Sequence, residues 1–356
     1  MAAQPVSVAR RRADEVSGDA TAVVGPLKGY HHETYVFPLP GRTVTVKCRE
    51  PRDAILWFDR RCFLSEEELL RALKGHITRI PDIVDVEDMG LQSFIEGDTL
   101  GALHRPGRRV PDAVFDQIVG LFRELALIRP DMLDVERRCE PEDRPEDGDS
   151  SGFLDRLIVF IEDQVYGRNR AEFEGLFRDL GVTDDSFQQL RKRTSGLHER
   201  PFCLLHADLH RENFIIDPCG RLWTIDWELA MFGDPLYDVA THLYLMRFPA
   251  EQERRMAREW CRVVEGVRPG SAYGWERDLP LLLEFKRAQS VPTDLIRIAL
   301  SLCDGPDFDW LALPRAAGKL HRVLAAGAEP LGLTDVPGRA QIMAALVHWH
   351  RGRVGA

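Results

Sequence analysis

Polar and apolar positions alternate through the first quarter of the chain, which is the pattern of strands. Residues 34–37 and 43–48 are predicted strands on either side of a turn at 38–41. A helix is predicted from Ser65, because Ser65 and Glu68 have capping-box spacing ahead of Leu69 and Leu70. Two further strand-like segments, 83–86 and 89–95, precede Gly97. Residues 21–96 are therefore predicted to form a small α+β lobe, and the polar residues 1–20 a flexible arm.

Helical spacing takes over after Gly97. Phe115, Ile118, Phe122 and Leu125 recur at helical intervals, and similar patterns continue to the C-terminus. One β-hairpin is predicted inside this region, with strands at 214–216 and 222–225 around the turn 217–220. Residues 97–356 are thus expected to form a larger, mainly helical lobe. A chain of 356 residues suits two lobes that share one active site.

Charge and cysteine usage narrow the choice of partners. The formal net charge of -10 disfavours nucleic acid and anionic membranes as partners. The seven cysteines are scattered without a Cys-x-x-Cys pair, which predicts reduced thiols in a cytoplasmic protein. No apolar run approaches the ~18 residues of a membrane span.

Three oxygen-bearing side chains have the spacing that phosphoryl transfer needs. Asp208 can accept the proton of an attacking hydroxyl, and Asn213 follows five residues later. Asp226 ends the second strand of the predicted hairpin, which should return the chain to the same place. Asn213 and Asp226 would then hold Mg²⁺ against the phosphates of a nucleotide. The order His-x-Asp-x-x-x-x-Asn, hairpin, Asp is the catalytic-loop arrangement of kinases.

Three ordered blocks give the chain a family resemblance. They are His206-Ala207-Asp208-Leu209-His210 with Asn213, then Ile225-Asp226-Trp227-Glu228, then Gly233-Asp234-Pro235-Leu236-Tyr237-Asp238-Val239-Ala240. This stretch resembles the aminoglycoside phosphotransferase and choline kinase family. The resemblance implies a protein-kinase-like bilobal α+β fold, with a small antiparallel sheet lobe and a larger helical lobe. It also implies Mg²⁺, ATP or GTP as phosphoryl donor, and a small-molecule hydroxyl as acceptor.

The same resemblance suggests nucleotide contacts in the first lobe. Lys47 stands where the family places the cation that contacts the α and β phosphates, and Glu66 where it places the partner of that cation. Glu68 is expected to serve the cap of Ser65 instead. The nucleobase is expected at the backbone of the hinge residues Ser93, Phe94 and Ile95. The phosphate-covering loop has one glycine, Gly29, so either His31 or His32 is expected near phosphate oxygens, or the loop lies further out.

Other chemistries account for fewer of these residues. His206, Asp208 and His210 alternate and could imitate a metal-hydrolase site, but that interpretation explains neither Asn213 nor Asp226. His206 is expected to hold the loop through backbone hydrogen bonds. A protein kinase is disfavoured because Asp234 follows Asp226 by eight residues, which leaves no room for an activation segment. A non-catalytic binding module is the remaining alternative from another class.

The acceptor is expected to be an antibiotic, so that O-phosphorylation would confer resistance. The alternative is a metabolic kinase acting on choline, homoserine or a sugar. The acidic chain favours a cationic acceptor over a phosphorylated one. The pattern indicates neither the acceptor-site residues, nor a preference for ATP or GTP, nor the oligomeric state.

Overall fold

A computed structural model describes residues 7–27, 32–51, 56, 60–87, 89–141, 144–305 and 307–354. His31 lies outside the described residues, so its expected place near phosphate stays a prediction. Within the described part the chain has an N-terminal sheet lobe and a mainly helical C-terminal lobe, and this confirms the predicted fold class.

The N-terminal lobe is built on a five-stranded sheet in which every neighbouring pair is antiparallel. In spatial order its strands are β1 (Val24–Leu27), β2 (His32–Pro38), β3 (Thr45–Pro51), β5 (Met89–Ser93) and β4 (Ile83–Val86). Helix α2 (Glu66–Leu73) lies between β3 and β4 in the chain and buries Leu69, Leu70 and Leu73. Ser65 caps it as predicted, since its hydroxyl accepts a hydrogen bond of 3.2 Å from the backbone N–H of Glu68.

The N-terminal arm is not flexible over its whole length, contrary to the sequence prediction. Residues Val8–Ser17 form helix α1, which Ser7 caps by accepting a hydrogen bond from Arg10. Its buried side chains Ala9 and Ala13 belong to the same core cluster as the sheet residues Tyr35, Phe37 and Val46. Two alanines one turn apart give a weak apolar signal among charged neighbours, but their small size lets the helix pack closely on the sheet.

The link between the lobes is held by a glycine. Gly97 has φ of 147°, and a Cβ at this position would lie 2.3 Å from the carbonyl oxygen of Ile216. Strand β6 (Asp98–Thr99) follows at once and pairs with strand β8 (Phe214–Ile216), which pairs in turn with β9 (Leu222–Thr224). The predicted hairpin is therefore present, and the chain leaving the first lobe is fixed against it.

The C-terminal lobe is a set of helices around one large apolar core. The helices are α3 (Leu100–Leu103), α4 (Asp112–Leu127), α5 (Ser150–Phe160) with a π-helical continuation (Ile161–Gly167), α6 (Arg170–Asp179), α7 (Asp184–Arg193), α8 (Pro235–Met246), α9 (Ala250–Val267), α10 (Trp275–Ser301), α11 (Leu313–Gly327) and α12 (Arg339–Val354). Among the described residues, none of these helices is both long enough and apolar enough to cross a bilayer.

A two-stranded ribbon carries the segments that the sequence singles out. Strand β7 (Cys203–Leu205) leads into His206 and Asp208, and strand β10 (Met231–Gly233) follows Asp226 and precedes helix α8. Asp234 caps α8 by accepting a hydrogen bond of 2.9 Å from Leu236. Its carboxylate is also bound by the fully buried Arg200, which reaches Asp278 on α10 as well. The start of α8 is therefore anchored to the core.

Candidate active site

The loop after β7 is held by a carboxylate from helix α8. Asp238 is buried and accepts hydrogen bonds from the backbone N–H groups of His206 at 3.1 Å and Ala207 at 2.8 Å. Burial raises the pKa of Asp238 to about 6, and those two hydrogen bonds oppose the rise. Ala207 has φ of 64°, a left-handed conformation that suits the glycine found here in the resembling family. Asp238 thus fixes the loop that presents Asp208.

His206 is a structural member of this loop, which confirms its predicted role. One ring nitrogen, Nδ1, accepts from the backbone N–H of Asp208 at 3.3 Å. The other, Nε2, lies 3.1 Å from the carbonyl oxygen of Ile225 and donates to it in the tautomer that satisfies both contacts. The imidazole therefore spans from Asp208 to the residue before Asp226.

Asp208 lies among groups that orient its carboxylate. The amide nitrogen Nδ2 of Asn213 donates to the Oδ2 atom of Asp208 at 3.1 Å and to its backbone carbonyl at 2.9 Å. His210 Nε2 lies 3.3 Å from the same Oδ2 atom. Burial lowers the pKa of His210, but the hydrogen bond and charge of Asp208 outweigh it and leave the pKa raised. His210, which the sequence left without a role, is a direct neighbour of the predicted base.

The hairpin brings Asp226 to Asn213, as its length predicts. The backbone N–H of Ile225 donates to the carbonyl oxygen of Asn213 at 3.0 Å, which places the two predicted metal ligands on adjacent backbone. Asp226 has φ of 66°, and its Oδ1 atom is buried without a hydrogen-bond donor. Since Nδ2 of Asn213 donates to Asp208, its amide oxygen is the atom left to face a cation. These oxygens fit the ligand preference of Mg²⁺.

Cations from the first lobe approach the same carboxylate. Burial raises the pKa of Asp226, but the positive charges of Arg49 and Lys47 outweigh it and leave the pKa lowered. The closest of these contacts joins Arg49 Nη1 to Asp226 Oδ1 at 3.6 Å. Asp226 is therefore the point at which a side chain of strand β3 approaches the second lobe.

The partner of Glu66 is Arg49 and not Lys47, so the predicted Lys47–Glu66 pair is wrong. A guanidinium nitrogen of Arg49 forms an ion pair with the Oε2 atom of Glu66, which is buried. Lys47 and Arg49 are two apart on β3 and share a face of the strand, so both point toward helix α2 and Asp226. Arg49 lies two residues further along β3 than Lys47 and has the longer side chain. It is the residue that forms the ion pair with Glu66.

Glu66 also reaches the second lobe. Its Oε1 atom accepts a hydrogen bond of 2.8 Å from the backbone N–H of Trp227, the residue after Asp226. One carboxylate thus joins helix α2, strand β3 and the segment that follows the predicted metal ligand Asp226. Of the three glutamates at the start of α2, Glu66 is the buried one, and Glu68 is exposed.

Lys47 lies beside this ion pair in a charged cleft. Burial and the charge of Arg49 lower the pKa of Lys47 to about 8, and the nearby carboxylates of Asp226 and Glu67 limit the fall. Lys47, Arg49, Glu67 and Gln92 line a cavity of about 450 Å³ between β3, α2 and β5. The residues lining that cavity all belong to the first lobe and do not include Asp208, Asn213 or Asp226.

His32 occupies a buried position facing Glu228. Its Nε2 atom lies 3.5 Å from the Oε2 atom of Glu228, and Arg61 approaches the same oxygen at 3.7 Å. Burial and the charge of Arg49 lower the pKa of His32 to about 4, so the ring is neutral at physiological pH. His32 is thus held next to Asp226 and Glu228, and the contact with phosphate expected for it stays a prediction.

The hinge residues have part of their backbone already committed. The N–H of Ser93 donates to the carbonyl of Asp82 at 2.8 Å, and the N–H of Phe94 to the carbonyl of Thr45 at 2.8 Å. Those two donors serve the sheet and are not directed at a nucleobase. Ile95 is half-buried at the same junction, and its expected role stays a prediction.

Sequence reasoning missed Arg49, His210 and the clamp made by Asp238. A signal existed for Arg49, because its two-residue spacing from Lys47 puts both cations on one strand face. A signal for Asp238 was also present, since a carboxylate within the first turn of a helix can meet free N–H groups of a neighbouring loop. His210 carried no sequence signal beyond its place next to Asp208.

Comparisons with known proteins agree with the family predicted from the sequence motifs. Residues 23–277 match the family described as "Phosphotransferase enzyme family". Among curated proteins, an 84-residue stretch is 33% identical to acyl-CoA dehydrogenase family member 11 of Rattus norvegicus and 32% identical to that of Mus musculus. That stretch is 23% of this chain but only 9% of each of those longer proteins.

Solved structures of similar fold include kinases of two kinds. The choline kinase LicA from Streptococcus pneumoniae superimposes with a TM-score of 0.52 at 18% identity, over 90% of this chain and 99% of that one. The gentamicin complex of APH(2")-IIa gives 0.52 at 17% identity, over 95% and 99% of the two chains. Aminoglycoside phosphotransferase APH(4)-Ia with ADP and hygromycin B gives 0.51 at 18% identity, over 91% and 99%. At these identities the likeness establishes a shared fold.

Proposed function

The chain belongs to the phosphotransferase enzyme family, and from this premise we propose that it transfers the γ-phosphoryl group of ATP or GTP to a hydroxyl of a small molecule, with Asp208 as general base. The chain is a phosphotransferase of the kinase-like class, in agreement with the family predicted from its motifs. The finer assignments of donor, metal, site residues and acceptor are the substance of the proposal.

The proposed reaction begins at the carboxylate of Asp208. The acceptor oxygen attacks the γ-phosphorus, its proton passes to Asp208, and the bond to the β-phosphate oxygen breaks to release a nucleoside diphosphate. Asn213 and His210 hold the carboxylate through its Oδ2 atom, which leaves Oδ1 to meet the acceptor hydroxyl. Asp238 keeps the loop in this conformation.

Asn213 and Asp226 are the residues that would hold Mg²⁺. A magnesium ion held by these two residues would supply positive charge that offsets the negative charge on the transferred phosphoryl group. The buried Oδ1 atom of Asp226 is the strongest indication of such a ligand, because a buried carboxylate oxygen without a hydrogen-bond donor is costly. Arg49 lies 3.6 Å from that oxygen and supplies part of the compensating charge.

Lys47 and Arg49 would bind the α and β phosphates together. Arg49 is oriented by Glu66, so its guanidinium presents a fixed set of donors along the cleft. Lys47 adds a second charge on the same strand face. Their shared position beside Asp226 supports a polyphosphate donor over a monophosphate.

One observation carries the proposal. The backbone hydrogen bond from Ile225 to Asn213 and the side-chain hydrogen bond from Asn213 to Asp208 bring the proposed base and both proposed metal ligands into one cluster. The first experiment incubates the purified protein with ATP or GTP, Mg²⁺ and a panel of hydroxylated antibiotics and metabolites. We expect acceptor-dependent release of nucleoside diphosphate that Asp208→Asn abolishes. Release that is unaffected by Asp208→Asn would exclude Asp208 as the base.

For the acceptor we propose an antibiotic, with choline, homoserine or a sugar as the second candidate. Family members of similar fold include both a choline kinase and aminoglycoside phosphotransferases, which supports the general class without choosing between them. The deciding experiment compares growth inhibition of a sensitive bacterium across antibiotic classes, with the wild-type gene and with its Asp208→Asn variant. Protection by the wild type alone supports an antibiotic. Equal growth of both strains, with turnover of a metabolite in vitro, supports a metabolic kinase.

A further inference from the structure

Two cysteines that are far apart in the sequence are brought together by the fold. Cys62 lies in the segment that leads into helix α2, and Cys139 lies 77 positions later, in the loop between helices α4 and α5. Both thiols are reduced. Their side chains form a hydrogen bond with each other, and both line a cavity of about 190 Å³ beside Phe153 and Phe232. The pair therefore spans from the first lobe to the second.

A short antiparallel bridge aligns the backbone of the two cysteines. Phe63 is paired with Arg137, and the N–H of Arg138 donates to the carbonyl oxygen of Cys62 at 3.0 Å. Cys139 is thus one residue beyond the position opposite Cys62. Residues related in this way on neighbouring antiparallel segments have Cα atoms about 6 Å apart, and a disulfide accepts separations of about 4.4–6.8 Å. The register of the bridge is therefore compatible with a disulfide.

Arginine side chains surround the two sulfur atoms. Arg144 donates two hydrogen bonds to the carbonyl oxygen of Cys139, from Nε at 3.2 Å and from Nη2 at 2.8 Å. The guanidinium of Arg137 packs on the Phe232 ring, 4.7 Å from its centre. Burial and the charge of Arg144 lower the pKa of Arg137, and the sulfur atoms of Cys139 and Cys62 oppose this fall. Both sulfurs therefore lie near the guanidinium of Arg137.

Cys139 has the properties of a reactive thiol. The hydrogen bond from Cys62 contributes most to lowering the pKa of Cys139 to about 5, burial opposes it, and a hydrogen bond from Arg144 lowers it further. Cys139 is thus a thiolate at neutral pH, and the thiolate is the form that reacts with oxidants. Both cysteines are only half-buried. The cavity beside them is several times larger than a water molecule, which takes about 30 Å³, so a small oxidant can enter it.

We propose that Cys62 and Cys139 form a reversible disulfide when the protein encounters a peroxide, and that this bond ties the first lobe to the second. The Cys139 thiolate attacks one peroxide oxygen, the O–O bond breaks, and a sulfenic acid and hydroxide result. The sulfur of Cys62 then attacks the sulfur of Cys139, and the S–O bond breaks. The departing oxygen leaves as water with the thiol proton of Cys62. In total, two electrons pass from the two sulfurs to the peroxide.

The disulfide would form where the first lobe already contacts the second. Arg61, next to Cys62, lies 3.7 Å from the Oε2 atom of Glu228. Glu66, at the start of the helix that follows, accepts the N–H of Trp227 at 2.8 Å. A reversible bond at this place also agrees with the reduced thiols expected from the sequence, because disulfides of reducing compartments are mostly transient and redox-sensing.

The first test treats the purified full chain with an equimolar amount of hydrogen peroxide. The remaining thiols are then alkylated with iodoacetamide under denaturing conditions, and the peptides are mapped by mass spectrometry without reduction. We expect a linked pair of peptides that carry Cys62 and Cys139, and we expect dithiothreitol to separate them. Cys219 is exposed and serves as the internal control, which should remain alkylated. Oxidation of Cys219 with Cys62 and Cys139 still reduced would overturn the proposal.

Variants assign the roles of the two sulfurs. In Cys62→Ser, whose hydroxyl still donates toward position 139, peroxide should leave Cys139 as a sulfenic acid that dimedone traps. In Cys139→Ser, dimedone should not label Cys62. Cys219→Ser is the matched control and should form the linked peptides as the wild type does. Thermal unfolding of each variant establishes that it folds. Dimedone labelling of Cys62 in a folded Cys139→Ser variant, or none of Cys139 in a folded Cys62→Ser variant, contradicts the assignment.

Hydrogen exchange measures the tie between the lobes. The backbone N–H groups of Leu64 and Arg138 donate across the bridge, to Glu136 and Cys62. They should exchange at least about threefold more slowly in the oxidised protein, because the bond prevents the bridge from opening. Cys62→Ser treated with peroxide should show no such slowing. Unchanged exchange in a fully cross-linked wild type would overturn the claim that the bond restrains the lobes.

None of these measurements involves nucleotide, acceptor or turnover. The disulfide and the proposed phosphotransfer can therefore fail separately.

Discussion

Arg49 on strand β3 and Glu66 at the start of helix α2 form a buried ion pair whose two members both touch the segment around Asp226. Arg49 approaches the Asp226 carboxylate at 3.6 Å, and Glu66 accepts the N–H of Trp227 at 2.8 Å. The pair therefore connects the first lobe to the second at the proposed metal site. Loss of either charge of this ion pair should therefore weaken the binding of the donor nucleotide.

Replacing Arg49 by Ala should raise the KM of the nucleotide donor about tenfold or more, because charge-assisted hydrogen bonds contribute about 1.5–3 kcal/mol. The donor KM of Arg49→Lys should lie between those of Arg49→Ala and the wild type, since lysine keeps the charge but loses the planar set of donors. Steady-state kinetics with varied donor give the values. Arg42→Ala, at an exposed turn, is the control. A donor KM unchanged in Arg49→Ala would remove this residue from the nucleotide site.

Glu66→Gln should weaken donor binding more than Glu68→Gln does. The amide at position 66 keeps one acceptor oxygen but loses the charge that holds Arg49, so we expect an increase of about three- to tenfold in donor KM. Glu68 is exposed and contributes its backbone N–H to the cap of Ser65, so Glu68→Gln should change neither KM nor stability appreciably. Kinetics and thermal unfolding of the two variants decide it. Equal increases in donor KM for the two variants would contradict the assignment of Glu66 to the nucleotide site.

Asp208→Asn should lower kcat by about 10² to 10⁴ and leave nucleotide binding nearly unchanged. The amide cannot accept the acceptor proton, yet it preserves the size of the side chain between Asn213 and His210. Titration with a fluorescent nucleotide analogue measures binding, and single-turnover kinetics measure the chemical step. The control is Asp98→Asn, an exposed position on β6. A variant that retains more than a tenth of the wild-type kcat would exclude the assignment.

Asp226→Asn should raise the Mg²⁺ concentration needed for half-maximal rate, because the neutral amide is a weaker ligand for a hard cation than a carboxylate. Asn213→Ala should shift the requirement in the same direction by a smaller amount. Rates measured across a Mg²⁺ series at saturating donor give both values. An unchanged Mg²⁺ requirement in Asp226→Asn means that the ligands lie elsewhere.

Donor affinity should weaken as the pH rises through about 8. The pKa of Lys47 is lowered to about 8 by burial and by Arg49, so the side chain carries its charge below that pH and loses it above. The neutral amine binds polyphosphate less well than the ammonium does. Dissociation constants of Mg²⁺-nucleotide between about pH 7 and pH 9 should show this trend in the wild type and a flatter profile in Lys47→Met. Identical profiles for the two proteins would exclude Lys47 as the titrating group.

The proximity of Asp208, Asn213 and Asp226 was predictable because the three residues are close in the chain and joined by a hairpin. Asp208, Asn213 and Asp226 lie within one loop and one two-stranded excursion, so local geometry alone brings them together. The resemblance to phosphotransferases rested on the same stretch, and the family comparison confirmed it.

Contacts between separate elements were harder to predict. Lys47 and Arg49 share a strand face, so the sequence alone does not predict which of the two cations pairs with Glu66. Strand pairing and side-chain length determine that Arg49 does. Helix α1 escaped prediction because its buried residues are two alanines and a serine, which give little apolar signal.

Gly97 has a consequence for how the two lobes can move. Because no side chain fits between its Cα and the carbonyl oxygen of Ile216, the chain at this point packs directly on the hairpin that lies between Asn213 and Asp226. The N–H groups of Ser93 and Phe94 bind the sheet above. Rotation of one lobe against the other must therefore turn the short segment of Phe94, Ile95 and Glu96, and it must also stretch the hydrogen bond from Trp227 to Glu66. So short a pivot favours opening and closing about a fixed axis over sliding of one lobe along the other.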